Sequence, residues 1–135
     1  MMGQYHLTVN LTKKEFIHPH HLGDGLKLME QAGSSEGTGA ALLLLLAASN
    51  GRGGGDAEAH PLIGSWAGDR IAVVGDYADD ADFATGIEGI GAGQVYAACL
   101  DGVFKDISHG IGEVLEKEFG FKLAGEGWLT RDYSF

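Results

Sequence analysis

Between Thr38 and Ser49 the chain reads TGAALLLLLAAS, and every residue from Ala40 to Ala48 is aliphatic. A run this short cannot cross a bilayer, which takes ~20 residues of helix. It predicts instead a core helix near 38–49, with Thr38 as N-cap and Gly51 as the C-terminal stop. Because this helix is apolar all round, it must be covered on more than one side: by a sheet on one side, and by another helix or a second subunit on the other. A homodimer is one way to supply that cover.

The sheet is legible before the helix. Tyr5, Leu7, Val9 and Leu11 alternate with His6, Thr8 and Asn10, the period-2 pattern of a half-buried strand with one wet face. The polar turn NLTKK then leads to EFI, a second strand that Pro19 ends, so a hairpin opens the domain. Residues 22–31, LGDGLKLMEQ, predict a short helix with Asp24 as cap and Leu26, Leu28 and Met29 buried.

Residues 62–77, LIGSWAGDRIAVVGDY, predict a hairpin whose two-residue type II′ turn is Gly68-Asp69. In that register Trp66, Ile71, Val73 and Tyr77 share the core face, while Ser65, Arg70, Ala72, Val74 and Asp76 share the other. Residues 78–94 are acidic and glycine-rich, a surface loop. Tyr96, Leu100, Val103, Ile107, Ile111, Val114 and Leu115 then mark one long helix, with Gly102, Gly110 and Gly112 as points where it can bend or break. The tail predicts a last strand or short hairpin around EGWLT. Together these elements predict one α+β domain over residues 1–135. Its antiparallel sheet has about four to five strands built from hairpins, packed against a buried apolar helix and a longer C-terminal helix.

A formal charge of −10 with only three arginines, Arg52, Arg70 and Arg131, opposes direct binding to a phosphate backbone. Mimicry of nucleic acid would need regularly spaced carboxylates, and those here are scattered. The single cysteine, Cys99, has no internal partner and lies among apolar neighbours, which suits a reducing, cytoplasmic setting. MMGQYHLTV lacks the basic and apolar segments of a secretory signal.

Several clusters carry candidate chemistry, each with a plainer structural explanation. In SNGRGGGD, Arg52 can bind an anion with Asp56 fixing it by a salt bridge, but the loop follows a helix and sits at its negative end, where a connector is the simpler role. GSSEGTG offers hydroxyls and N–H groups at a helix N-terminus, where capping alone explains them. His18 and His20, two apart and so on one side of an extended segment, can form with His21, Asp24, His60 or Asp56 a three- or four-ligand site for zinc, manganese or iron; a solvated histidine cluster is the alternative. GDYADDAD lacks the EF-hand order, and its Asp76 shares a face with Arg70, either as a salt bridge or as a pocket floor. No strand-to-helix serine elbow is present.

At NGRGGGD followed by GSWAGDRIAVVGDYAD, and earlier at KKEFI and HPHHLGDGLKL, the chain resembles a family of small, uncharacterised bacterial and phage-borne proteins. The likeness covers most of residues 5–80. It implies a bacterial, cytoplasmic or mobile-element context and carries over no catalytic residue. The residues themselves add one expectation. If the glycine and aspartate turns converge at one edge of the sheet, Arg52, Asp56, Arg70, Asp76 and Tyr77 line a single concavity. The function expected first is a non-enzymatic binding or regulatory accessory, recognising a protein partner or a small anionic ligand, without nucleic acid or membrane. A metal-dependent enzyme using the histidine and aspartate cluster comes second, and an acidic inhibitor of a nucleic-acid-binding partner third.

Overall fold

The computed structural model describes residues 3–34 and 36–120. Its strands are β1 His6–Asn10, β2 Glu15–Ile17, β3 Ile71–Gly75 and β4 Lys105–Asp106; its helices are α1 Leu28–Ala32, α2 Thr38–Leu46, α3 Val95–Leu100 and α4 Ser108–Phe119. One sheet has the order β3-β1-β2-β4. β1 runs antiparallel to both β2 and β3, whereas β2 and β4 run parallel. The α+β class is as predicted, but the sheet is mixed rather than wholly antiparallel. The strand expected in the tail lies outside the described residues.

The β1–β2 hairpin forms for local reasons. Asn10 Oδ1 accepts from the Lys13 N–H at 2.8 Å, an Asx turn that reverses the chain. β1 has no wet face, contrary to expectation, because packed layers cover both faces of the sheet: Leu7 and Val9 are buried on one side, Thr8 and Asn10 on the other. Two cores follow from the two faces. Leu7, Val9, Phe16 and Val74 pack with Val95, Cys99 and Phe104. On the opposite face Ile17, Leu22, Trp66, Ala41 and Leu45 pack with Ile111, Val114 and Leu115.

The predicted hairpin at 62–77 exists only in its second half. Residues 61–69 form consecutive turns, because their backbone completes α2: Gly64 N–H donates to Leu44 O and Trp66 N–H to Leu45 O, each at 2.9 Å. These bonds satisfy carbonyls that a helix end leaves open. Gly64 is required there, since its φ is +81° and a Cβ would lie 2.7 Å from Ala47 O. Gly68 occupies the third position of the turn closed by Asp69 N–H and Trp66 O, not the first central position of a type II′ turn. Released from that hairpin, β3 pairs with β1; Ile71 packs against the core of Trp66 as expected, but Val74 is buried while Val73 and Tyr77 are exposed.

Other corrections have equally definite causes. Leu28 and Met29 are exposed, whereas Gln31 is buried because its Nε2 bridges His6 O and Leu26 O at 2.8 and 2.9 Å. Asp24 does not cap α1; its Oδ2 accepts from Thr38 N–H at 2.6 Å, so Asp24 caps α2 and Thr38 is already inside that helix. α2 ends at Leu46, and Leu43 on its outer face is 72% exposed. The long helix splits at Gly102, because Lys105 and Ile107 donate backbone bonds to Lys14 O and Phe16 O and so add β4 to the sheet. Leu100 and Val103 are left exposed. Among the described residues no helix is long and apolar enough to cross a membrane.

Candidate functional site

The parallel β2–β4 pairing gathers a histidine patch. His18, His20 and His21 follow β2, and Asp106 and His109 lie at the end of β4 and the start of α4. Ring centroids are 5.3 Å apart for His18 and His20, 4.8 Å for His18 and His21, and 5.2 Å for the stacked rings of His21 and His109. His21 Nδ1 donates to Asp106 Oδ2 at 3.0 Å, and Asp106 Oδ1 accepts from Ser108 N–H at 2.8 Å. Ser108 Oγ also donates to Asp106 and accepts from His18 N–H at 2.6 Å, so it is a structural link rather than a nucleophile. A carboxylate behind an imidazole fixes its tautomer and orientation, as it does behind metal-bound histidines.

The expected ligand set does not assemble around these rings. Asp24 is committed to the α2 N-terminus, and His60 is exposed with Nδ1 accepting from Leu62 N–H at 3.1 Å. Among the described residues no three His, Cys, Asp or Glu side chains are grouped so as to hold a metal ion. His109 and Asp106 were missed by sequence reasoning, because nothing local links DISH to HPHH.

Burial, then His21 and His20, hold the His18 imidazole down to about 4 from its ordinary 6.5, with Asp106 opposing. Between those values the unfolded chain takes up a proton that folded His18 refuses, so stability falls as pH drops from 6.5 toward 4 and is insensitive to this group above that range. The full shift would be worth about 3 kcal/mol, and partial exposure reduces it to about 1–2 kcal/mol. His18→Asn keeps an acceptor for the His20 N–H. Urea unfolding at pH 7 and pH 4.5 is expected to show a smaller acid loss in this variant than in the native chain. Equal losses would place the acid sensitivity elsewhere.

The predicted anion residues separate. In the 51–56 loop Asp56 Oδ2 accepts from the backbone N–H of Arg52 at 2.8 Å and of Gly53 at 3.2 Å, which holds its carboxyl below the usual range. Backbone bonding thus replaces the expected guanidinium salt bridge. Asn50 closes the base of this loop through two bonds to Ala57, and residues 51–56 are all exposed. Arg70 and Asp76 stand at opposite ends of β3, about 20 Å apart at strand rise, so they form no pair. Asp76 Oδ1 accepts from Tyr5 N–H at 2.9 Å, and Tyr77 lies exposed beside it.

Arg70 does line a cavity, of about 400 Å³, with Leu11, Thr12, Lys14, Thr85, Gly86 and Glu88. Its guanidinium donates to Thr85 O at 2.8 Å and to Ala84 O at 2.5 Å, and its backbone N–H donates to Thr12 Oγ1 at 2.9 Å. Gly86 has φ +72°, and a Cβ there would lie 2.3 Å from Arg70 Nη1, so the guanidinium occupies space that only glycine leaves. Thr85 Oγ1 fastens the same loop by donating to Ile90 O at 2.5 Å. On the opposite wall Lys14 has φ +56°, and its carbonyl accepts from Lys105 N–H. Lys13, Lys14, Arg70 and Lys105, four of the chain's nine basic residues, therefore gather around one end of the sheet. Lys13 is neutralised by Asp69. Compared with known proteins, the chain matches no family model, no curated protein and no solved structure.

Proposed function

We propose that this chain is a non-enzymatic binding or regulatory protein that holds a small organic anion, through its carboxylate or phosphate head, in the cleft between the β1–β2 turn and residues 85–88. The observation that carries this reading is the Arg70 guanidinium, fixed by two carbonyls and the space at Gly86, facing a cavity that Lys14 also lines. A preset guanidinium loses little freedom when it donates to an oxyanion, and charge-assisted bonds are the strong ones. Thr12 supplies a hydroxyl, and Glu88 at the rim disfavours polyanions while offering an acceptor to a ligand that carries N–H or O–H. The bacterial or phage setting implied by the resemblance belongs to the same proposal.

Isothermal titration with inorganic phosphate and with succinate tests it. Binding is expected near ~1 mM or tighter, which corresponds to about 4 kcal/mol. Lys14→Asn is the informative variant, because asparagine tolerates the left-handed backbone at this position while the charge is removed. It is expected to weaken binding about tenfold, the effect of losing about 1.4 kcal/mol. Unchanged affinity in that variant would refute the cleft as the anion site.

A further inference from the structure

We propose that the outer edge of β3 pairs antiparallel with β3 of a second copy of this chain, on a two-fold axis through Val73. This proposal shares Arg70 with the anion reading, but its axis residue, Val73, does not line that cleft, so Val73→Lys tests the pairing separately.

β3 ends the sheet order, and no described strand covers its outer edge. Leu11 N–H donates to Arg70 O, and Asp76 N–H donates to Tyr5 O, so residues 70, 72, 74 and 76 turn their backbone groups toward β1. By alternation, Ile71 and Val73 direct theirs outward, as does the Gly75 N–H, while the Gly75 carbonyl accepts from Ala78 N–H. Proteins blunt such edges with lysine, proline, a bulge or an inward charge. The strand IAVVG has none of these, and its register with β1 is unbroken from Ile71 to Gly75.

The edge is complementary to itself. With the axis at Val73, the two Val73 residues exchange both bonds and Ile71 O faces the N–H of the second copy's glycine at position 75. The Gly75 carbonyl already accepts from Ala78 N–H at 3.2 Å within its own chain, so the junction rests on the Val73 pair and the Gly75 N–H of each copy. The intervening positions bring side chains closest, because they are the non-hydrogen-bonded pairs. There Ala72 meets the valine at position 74, and Arg70 meets the aspartate at position 76. The two charges that are too far apart to pair within one chain thus become cross-strand neighbours, twice, at the two ends of the junction. Arg70 can serve both roles, since its bonds to Ala84 and Thr85 leave three of its five N–H groups.

The apolar surface beside the edge points to the same occupant. Val73 is 47% exposed and lines a groove of about 140 Å³ with Leu28, Ala32, Gly39 and Leu42. Met29 and Leu43 are each more than 70% exposed. A second copy on β3 would carry its own α1 and α2 toward this groove. That supplies the second covering which a helix apolar on all sides requires.

Light scattering after size exclusion tests the pairing on the full chain. The expected mass is twice 14.2 kDa at micromolar concentration. Val73→Lys places two ammonium groups at the axis and is expected to give a monomer with native circular dichroism. Asp76→Arg sets arginine opposite Arg70 and is expected to raise the dimer dissociation constant at least about tenfold. Val103→Lys, beside β4 at the other edge of the sheet, is expected to leave the dimer unchanged. Amide exchange at Ile71 and Val73 should be slow in the dimer and fast in the Val73→Lys monomer. A monomeric native chain, or a dimer that survives both Val73→Lys and Asp76→Arg, overturns the proposal.

Discussion

Trp66→Ala is expected to destabilise the protein by about 3–5 kcal/mol, the range for truncating a buried aromatic residue. Trp66 is completely buried in the core formed with Ile17, Leu22, Leu45 and Ile111, although it comes from a turn rather than a strand. Its indole Nε1 donates to Glu15 Oε1 at 2.8 Å, joining the turn to β2, while its backbone N–H holds Leu45 O at the end of α2. The alanine variant keeps the backbone bond but leaves a void and an unpaired carboxylate. Trp66→Phe fills most of the void, and its expected cost is about 1–2 kcal/mol, chiefly the lost bond to a charged group. Urea unfolding followed by circular dichroism separates the two variants. Equal midpoints would mean that the indole volume does not hold this core together.

Asp24→Ala has the second-largest expected effect, about 2–3 kcal/mol. The buried Asp24 carboxylate accepts the Thr38 N–H at 2.6 Å, at the positive end of α2, and Gly37 leaves the space for it: a Cβ there would lie 2.2 Å from Asp24 Oδ2. Losing an N-cap costs up to about 2 kcal/mol, and a bond to a charged group in a buried setting adds to that. α2 has no other side-chain cap at its own N-cap residue, Gly37. Asp24→Asn retains an acceptor and is expected to lose only about 1 kcal/mol, with Thr38 amide exchange still slow. If the alanine variant unfolds within about 0.5 kcal/mol of the native chain, the cap is not what fixes the start of α2.

Features set by neighbouring residues were legible in the sequence. The β1–β2 hairpin follows from alternation and turn chemistry, and α2 follows from an unbroken aliphatic run. What failed was pairing between distant segments. LIGSWAGDRIAVV has strand-like composition on both sides of Gly68. Yet the backbone of Gly64 and Trp66 is drawn to the carbonyls of α2, and β1 takes β3 as its partner. The parallel contact between β2 and β4 has no local sign at all, so His109 and Asp106 could not be joined to His18 and His21 in advance. Arg70 could be singled out as a candidate from its residue type, but not its surroundings: Thr85 and Gly86 lie in a stretch that reads as a solvated loop. Asp24 was seen as a cap and assigned to the wrong helix, because its partner is fourteen residues away.

Amide chemical shifts, recorded while the full chain is titrated with inorganic phosphate at pH 7, show directly whether the Arg70 cleft binds an anion. Saturable shifts confined to Thr12, Lys13, Lys14, Arg70 and residues 85–88 are expected, and they are expected to vanish in Lys14→Asn. Shifts confined to the histidine patch or to residues 51–56, or no saturable shifts up to tens of millimolar phosphate, would contradict that binding.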